Sequence, residues 1–197
     1  MTNRYDLIKI QEKLQKKLTP DRYQHTLGVM YTCAALAMCH GCNLERAMVA
    51  GLLHDCAKCI PNDKKISICE KNNIAITEAE RKNPSLLHAK AGVFLAKSKY
   101  DIEDEDILDA IRYHTTGNVD MTLLQKITYL ADYLEPWRNK ATNLPAIREA
   151  AFQDLDKALY MVLHDTLQYL ETIHAEVDST TQQAYEFYRQ LQEEKQD

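Results

Sequence analysis

Apolar residues recur every three to four positions along almost the whole chain, and this spacing limits the folds open to it. In the first such segment, Leu7, Ile10, Leu14 and Leu18 follow the 3.6-residue period of an amphipathic helix. Alternation of apolar and polar residues with a period of two, which would indicate strands, is nearly absent. The pattern predicts an all-α protein folded as a helical bundle.

Residues that start and stop helices divide this pattern into separate segments. Thr19-Pro20-Asp21 ends the first helix, Gly41 stops the second, and Asn43 can cap the third. Between 63 and 81 we expect short helices joined by a turn at 71–73. The predicted helical segments are 5–18, 21–39, 43–54, short helices within 63–81, 84–95, 104–114, 121–134, 144–174 and 179–194.

Length and charge exclude several classes of protein. The chain has 197 residues, five Gly, five Pro and no low-complexity linker, which predicts a single domain. A formal net charge of -5 provides no general basic surface, so we expect no nucleic-acid partner, whereas a small phosphorylated ligand is compatible with it. No apolar run is long enough to cross a bilayer, and no apolar signal segment follows Met1. We therefore expect no membrane partner and a cytoplasmic location, and a homo-oligomer stays open.

The dipeptide His54-Asp55 at the end of the apolar run 50–53 is the clearest functional signal. Two strong ligands that are adjacent in sequence can serve one metal cluster only if the helix end points into a cavity and other segments complete the coordination shell. Four more His and Asp residues lie in separate, predominantly helical segments. The candidate metal ligands are His25, His54, Asp55, His88, His114 and Asp132.

These residue types indicate a pair of transition-metal ions. Imidazoles and carboxylates suit iron, manganese and zinc, whereas calcium and magnesium usually prefer oxygen ligands. Asp132 lies among large apolar residues, where an unpaired buried carboxylate would cost several kcal/mol and a metal ion would remove that cost. Asp55 is the best bridge between two ions because its neighbour His54 anchors one of them. The other ligands then divide into His25, His54 and Asp132 for one ion, and His88 and His114 for the other.

Two such ions indicate a class of reaction. Metal ions about 3.5 to 4 Å apart lower the pKa of a shared water and hold a phosphoryl group from both sides. The implied reaction is hydrolysis of a phosphate ester or anhydride. The remaining histidines that we considered lack comparable partners, and we expect them in packing, in capping or at the surface; they are His40, His164 and His174.

Two cysteine pairs offer an alternative metal site. Cys39 with Cys42 and Cys56 with Cys59 have the spacing of a four-thiolate zinc site. Against this, a whole helix rather than a zinc-ribbon hairpin separates the pairs, and Cys56 continues the buried side of a helix, where a thiol acts as a small apolar filler. We expect the six cysteines to be thiols rather than disulfides. A structural zinc protein is the alternative that these pairs leave open.

Five motifs closely resemble those of the HD-domain metal-dependent phosphohydrolases, and more narrowly those of the YqeK family. The likeness extends over most of the chain. The turn His-Thr-Thr-Gly at 114–117 and the stretch at 131–138 select this family among HD proteins. The five motifs are Arg-Tyr-Gln-His at 22–25, Ala-Gly-Leu-Leu-His-Asp-Cys-Ala-Lys at 50–58, Leu-His-Ala at 87–89, and the segments 114–117 and 131–138.

The resemblance implies a fold and an activity. The single domain over 1–197 would be an HD-domain helical bundle, with a metal-binding core at about 18–140 and C-terminal helices at about 144–194. The cofactor would be two iron ions, with manganese or another transition metal as alternatives. The reaction would be symmetrical hydrolysis of diadenosine tetraphosphate and related dinucleoside polyphosphates, with a small-molecule nucleotide as substrate and two molecules of ADP as product.

The resemblance also assigns roles to individual residues. Asp55 and Lys58 would be catalytic, with Lys58 neutralising charge that develops on the phosphate oxygens. The residues expected to contact phosphate or ribose are Arg22, Lys58, His114, Thr115 and Arg138. The alternatives are a nucleotidase or cyclic-dinucleotide phosphodiesterase on the same scaffold, and a nucleotide-sensing module without turnover. The complete set of six ligands favours an enzyme.

Overall fold

Helices make up all the regular secondary structure in residues 5–139, 141 and 143–195, which are the residues described by the computed structural model. This part of the chain contains no strand, so the all-α prediction is confirmed. A 3-10 helix spans Pro84–Leu87. The α-helices are α1 (Leu7–Gln15), α2 (Pro20–His40), α3 (Leu44–Leu53), α4 (Asn62–Lys71), α5 (Glu78–Lys82), α6 (His88–Tyr100), α7 (Glu105–Tyr113), α8 (Leu123–Leu134), α9 (Leu144–Ala151), α10 (Leu155–Thr172) and α11 (Ser179–Glu194).

Capping residues fix most of these boundaries where the sequence predicted them. The Thr19 hydroxyl accepts a hydrogen bond from a backbone N–H in the first turn of α2, and Gly41 ends that helix in the left-handed conformation with φ +72°. The Asn43 side chain caps α3 in the same way. In the segment 63–81, α4 and α5 are two short helices, and Asn73 in the turn after α4 has a positive φ. The stop at Gly41, the cap at Asn43 and the turn at 71–73 are confirmed, whereas α1 ends at Gln15, three residues before the predicted end at Leu18.

The prediction of one long helix over 144–174 is wrong, because this segment forms two helices, α9 and α10. The Asp154 carboxylate accepts hydrogen bonds from the backbone N–H groups of Asp156 and Lys157, and so caps the start of α10. An aspartate that bonds to the backbone in this way competes with continuation of the preceding helix. The apolar spacing runs through the break, which is why the spacing alone missed it.

The helices around α2 form the part of the core that positions the functional residues. α2 packs against α3 and α8, while α7 lies against α3, α6 and α8. α10 packs on α8, α9 and α11. Buried apolar residues from Tyr5 to Tyr188 belong to one continuous cluster, which supports the predicted single domain. Among the described residues, no helix combines the length and apolar character needed to cross a membrane.

Gly51 sets the distance between α2 and α3. A Cβ at this position would lie 2.9 Å from the backbone Cα of Met30 and 3.0 Å from the Cys33 sulfur. The close approach brings the end of α3, where His54 follows, against the first third of α2, where His25 lies. The packing of two helices thus determines how near two candidate ligands come to each other.

We expect Gly51→Ala to destabilise the protein by about 2 kcal/mol. The added methyl group meets a backbone atom that cannot rotate away, so an overpacking cost of about 3 kcal/mol exceeds the gain of about 1 kcal/mol in helix propensity. Gly92→Ala is the control: its nearest contact is a side-chain atom of Ile111 at 3.3 Å, the His54 carbonyl oxygen is 3.7 Å away, and the change should stay within about 1 kcal/mol. Denaturant unfolding measures both. A Gly51→Ala variant as stable as wild type would contradict the packing argument.

Candidate metal centre

Three candidate ligands are histidines at helix ends, and all three are held in the same way. His54 follows α3, His88 begins α6 and His114 follows α7. In each, Nδ1 faces the carbonyl oxygen three residues earlier; the distances are 2.7 Å for His54 and Gly51, 2.6 Å for His88 and Ser85, and 2.7 Å for His114 and Ile111. For His54 and His114 this carbonyl belongs to the last turn of a helix, where it lacks an intrahelical partner and is available to accept. Because a carbonyl only accepts, Nδ1 carries the hydrogen and Nε2 is directed into the cluster.

The other two elements of the cluster come from α2 and α8. His25, in the interior of α2, directs Nδ1 to the buried carboxylate of Glu135 at 3.0 Å. Its Nε2 lies 3.0 Å from Oδ1 of Asp132, near the end of α8, and 3.3 Å from Nε2 of His54. Asp132 is half-buried, while the four histidines are at least nine-tenths buried.

Asp55 lies between two pairs of histidines. Its Oδ2 is 3.5 Å from Nε2 of His54 and 3.9 Å from Nε2 of His25. Its Oδ1 is 3.2 Å from Nε2 of His88 and 3.6 Å from Nε2 of His114. Each carboxylate oxygen therefore faces a different pair, which is the arrangement that a bridging carboxylate needs. The structure brings together all six residues named from the sequence.

The donor set fits divalent metal ions. Nε2 of His88 and Nε2 of His114 face each other at 3.1 Å, and Oδ1 of Asp55 is buried and has no hydrogen-bond partner among the described residues. Converging ring nitrogens and a carboxylate oxygen without a donor are costly to bury unless a cation lies among them. Three overlapping groups have ligand atoms within 4.8 Å of one another: His25 with His54 and Asp55, His54 with His114 and Asp132, and Asp55 with His88 and His114.

The protonation states also suit metal binding. Burial, followed by the nearby His114, lowers the pKa of His88 to about 4, although Asp55 opposes this shift, so the ring is neutral at pH 7. Burial tends to raise the pKa of Asp55, but the surrounding imidazoles outweigh it and hold the pKa well below the usual range. Asp132 behaves similarly: burial raises its pKa, and the adjacent rings of His25 and His54 lower it further than burial raises it. Metal ligands must be deprotonated, and these groups are.

Three cationic side chains border the cluster. Nη1 of Arg22 lies 2.8 Å from Oδ2 of Asp55, and Nη2 of Arg138 lies 2.9 Å from Oδ1 of Asp132. Nζ of Lys58 lies 3.1 Å from Nε2 of His88. The exposed fractions of these side chains, 30% for Arg22, 34% for Lys58 and 46% for Arg138, place them at the opening toward solvent.

The remaining residue of the predicted substrate site also lies at the cluster. The Thr115 hydroxyl is 3.2 Å from Nε2 of His114 and 3.4 Å from Nε2 of His88. Lys58 stands on a series of turns after the end of α3, where its backbone N–H donates to the Asp55 carbonyl. All five residues expected to contact substrate are therefore beside the candidate ligands.

The cysteine pairs do not form a comparable group. In the part of the chain that the structure describes, none of the groups able to hold a metal ion includes a cysteine. Cys39 and Cys59 are exposed thiols, while Cys56 is buried and its sulfur lies 3.6 Å from the Gly92 carbonyl oxygen. Cys56 is thus a packed apolar residue, as its place in the sequence predicted.

The histidines outside the candidate set have other surroundings. Nε2 of His40 lies 2.7 Å from the Ala151 carbonyl oxygen, which joins the end of α2 to α9. The His164 ring lies against those of Tyr160 and Tyr185. His174 is exposed and has a positive φ in the turn after α10. Packing, capping and surface positions were the places predicted for them.

Glu135 is the residue of the site that our reading of the sequence missed. It is only 1% exposed, and its carboxylate is the partner of His25 Nδ1. One signal was available: Glu135 follows Asp132 by three residues, a spacing that places two side chains on the same face of a helix. Its partner lies 110 residues earlier in the chain, so the sequence does not show the pairing.

Comparison with known proteins gives matches over most of the chain. The family model of the HD domain matches residues 22–137. A symmetrical bis(5'-nucleosyl)-tetraphosphatase of Bacillus subtilis (strain 168) is 39% identical over 158 residues, which cover 80% of this chain and 83% of that protein. A protein of the same name from Halalkalibacterium halodurans is 40% identical over 154 residues, with 78% and 81% covered.

A solved structure is also similar. It is the crystal structure of a predicted HD superfamily hydrolase involved in NAD metabolism from Clostridium acetobutylicum, with a TM-score of 0.90 and 39% sequence identity. The match covers 94% of this chain and 98% of that chain.

The stability of the metal-free protein should depend on the protonation of His88. Unfolded His88 takes up a proton near its ordinary pKa of about 6.5, whereas the folded residue does so only near 4. Since the unfolded state binds the proton first, the free energy of unfolding falls as the pH is lowered through this window, by about 3 kcal/mol from His88 alone. The free energy of unfolding can be measured by denaturant unfolding with a chelator at pH 7, 5.5 and 4.5. It should fall less for His88→Asn than for wild type as the pH is lowered. Equal losses in the two proteins would refute this assignment.

Proposed function

Since this chain belongs to the HD-domain family, we propose that it hydrolyses diadenosine tetraphosphate and related dinucleoside polyphosphates symmetrically, releasing two molecules of ADP. The observation that supports this most strongly is the position of Asp55 between two pairs of buried histidines, in a chain about 40% identical to two symmetrical tetraphosphatases. The six free thiols suit a reducing compartment, and we propose the cytoplasm as its location.

The cofactor that we propose is a pair of iron ions, with manganese or another transition metal able to replace them. The ligands would be the six residues of the cluster, with Asp55 contributing one oxygen to each ion. When bound, two such ions would supply an activated water and neutralise charge on the phosphoryl group. The mixture of imidazole and carboxylate donors supports a transition metal rather than calcium or magnesium.

The chain's own cations would bind the polyphosphate. Symmetrical cleavage adds water to an inner phosphorus, breaks the bond to the central bridging oxygen and releases ADP from both sides. Arg22, Lys58 and Arg138 border the opening of the cluster, where they would bind phosphate oxygens and orient the chain. Lys58 is 3.7 Å from Oδ1 of Asp55, and it would neutralise the charge that grows on the departing ADP.

Products separate this reaction from its alternatives. Anaerobic turnover of diadenosine tetraphosphate with iron-loaded protein, resolved by chromatography with metal counted on the same sample, should give ADP alone and about two ions per chain. ATP and AMP in equal amounts would contradict symmetrical attack. Turnover of a nucleoside monophosphate or a cyclic dinucleotide alone would favour the nucleotidase or phosphodiesterase alternative. Ligand binding by fully metal-loaded protein without turnover would favour a sensing module.

Asp55→Ala should abolish turnover and lower the amount of bound metal, while helical content stays near that of wild type. The substitution removes both oxygens that face the histidine pairs. Circular dichroism and metal analysis accompany the activity assay. Asp109→Ala, which removes a surface carboxylate paired with Arg112, is the control and should behave as wild type. Full activity in Asp55→Ala would rule out the proposed mechanism.

Lys58→Ala should lower kcat by about 100-fold and leave the metal content unchanged. A cation that stabilises charge in the transition state contributes on the order of this factor, whereas Lys58 is not a proposed metal ligand. The matched control is Lys64→Ala, which removes an exposed lysine from α4. A rise in KM with unchanged kcat would show that Lys58 only binds substrate, and it would contradict the proposed catalytic role.

A further inference from the structure

His25 differs from the other three histidines in how its ring is held. His54, His88 and His114 lie at helix ends, and each uses a backbone carbonyl three residues earlier in the chain. His25 is the sixth residue of the 21-residue α2, where the carbonyls of the preceding turn are occupied by the helix itself. Its ring therefore needs an acceptor from another part of the chain, and Glu135 provides it.

The Glu135 carboxylate is fixed at both oxygens. Oε1 is 3.0 Å from Nδ1 of His25, and Oε2 accepts a hydrogen bond from the backbone N–H of Trp137 at 2.8 Å. Arg148 donates to the carbonyl oxygens of Leu134 and Glu135, so the backbone around the carboxylate is also tied down. A buried carboxylate held in this way is a rigid, ionic acceptor for the imidazole.

The α2 backbone leaves room for this carboxylate only because residue 28 is glycine. A Cβ on Gly28 would lie 2.5 Å from Oε2 of Glu135 and 3.3 Å from its Cδ. Gly28 lies three residues after His25 and on the same side of the helix. The sequence thus provides both the acceptor and the space that it occupies.

We propose that Glu135 is a positioning residue for His25, and that it makes the side of the cluster containing His25, His54 and Asp132 bind its metal ion more tightly than the side containing His88 and His114. An imidazole whose second nitrogen donates to a carboxylate is a more basic ligand than one that donates to a neutral carbonyl. The His25 side also has one more ligand, since Asp55 is shared. This inference depends on the metal binding proposed above, but not on the substrate.

Titration of the metal-free protein with Mn²⁺ tests this asymmetry. The free ion is followed by its electron paramagnetic resonance signal, and wild type should bind two ions with clearly unequal affinities. Glu135→Gln keeps the shape of the side chain and removes its charge. It should weaken the tighter event by about 10- to 100-fold and leave the weaker event unchanged. A purely structural role would instead weaken both events together.

Two more variants complete the test. Gly28→Ala keeps the carboxylate but displaces it from His25, so it should weaken the tighter event as Glu135→Gln does. Glu149→Gln removes the charge of an exposed glutamate on α9 and is the control. Suppose that wild type binds two Mn²⁺ ions, but Glu135→Gln either binds both with wild-type affinity or binds both more weakly by the same factor. Either result would overturn the role of Glu135 without contradicting the proposed metal centre. Absence of Mn²⁺ binding by wild type would overturn both proposals.

Discussion

The buried carboxylate of Asp55 is the constraint on which the rest of the site depends. A carboxylate that is 2% exposed is costly to bury, and here four imidazoles converge on its two oxygens. The imidazoles come from separate helices, so α2, α3, α6 and α7 must all meet at one point. The close contact of α2 with α3 at Gly51 follows from the same requirement, because it brings His25 and His54 to one oxygen of Asp55.

Backbone carbonyls at helix ends orient the histidine rings in a core that has few other polar groups. The last turn of a helix has carbonyls without partners, and a histidine placed just after it can donate Nδ1–H to one of them. His54 and His114 both do this, and His88 does so at the junction of the 3-10 helix with α6. Each bond satisfies the Nδ1–H of a buried ring and directs Nε2 toward Asp55. The short helices of the fold therefore provide oriented ligands as well as packing.

Much of this arrangement could be predicted from the sequence. The parts that could not be predicted were missed for one common reason: they depend on interactions that the local pattern of residues does not show. Periodicity and capping residues are local, so the ends of α2 and the start of α3 were predicted, and the candidate ligands could be named from residue types beside apolar runs. The break at Asp154 was missed because a side chain that bonds to its own backbone does not disturb the apolar period. Glu135 and Gly28 were missed because their importance lies in a contact between α2 and the end of α8.

The charges around the site connect the metal proposal to the substrate proposal. Asp55, Asp132 and Glu135 are opposed by Arg22, Lys58 and Arg138, so the charges of the protein nearly cancel there. Two divalent ions would then leave an excess of about four positive charges, which matches a chain of four phosphates with about one negative charge each. A monoester carries roughly half of that charge. A long polyphosphate would therefore neutralise the loaded site more completely than a monoester, in a chain whose net charge of -5 would otherwise repel it.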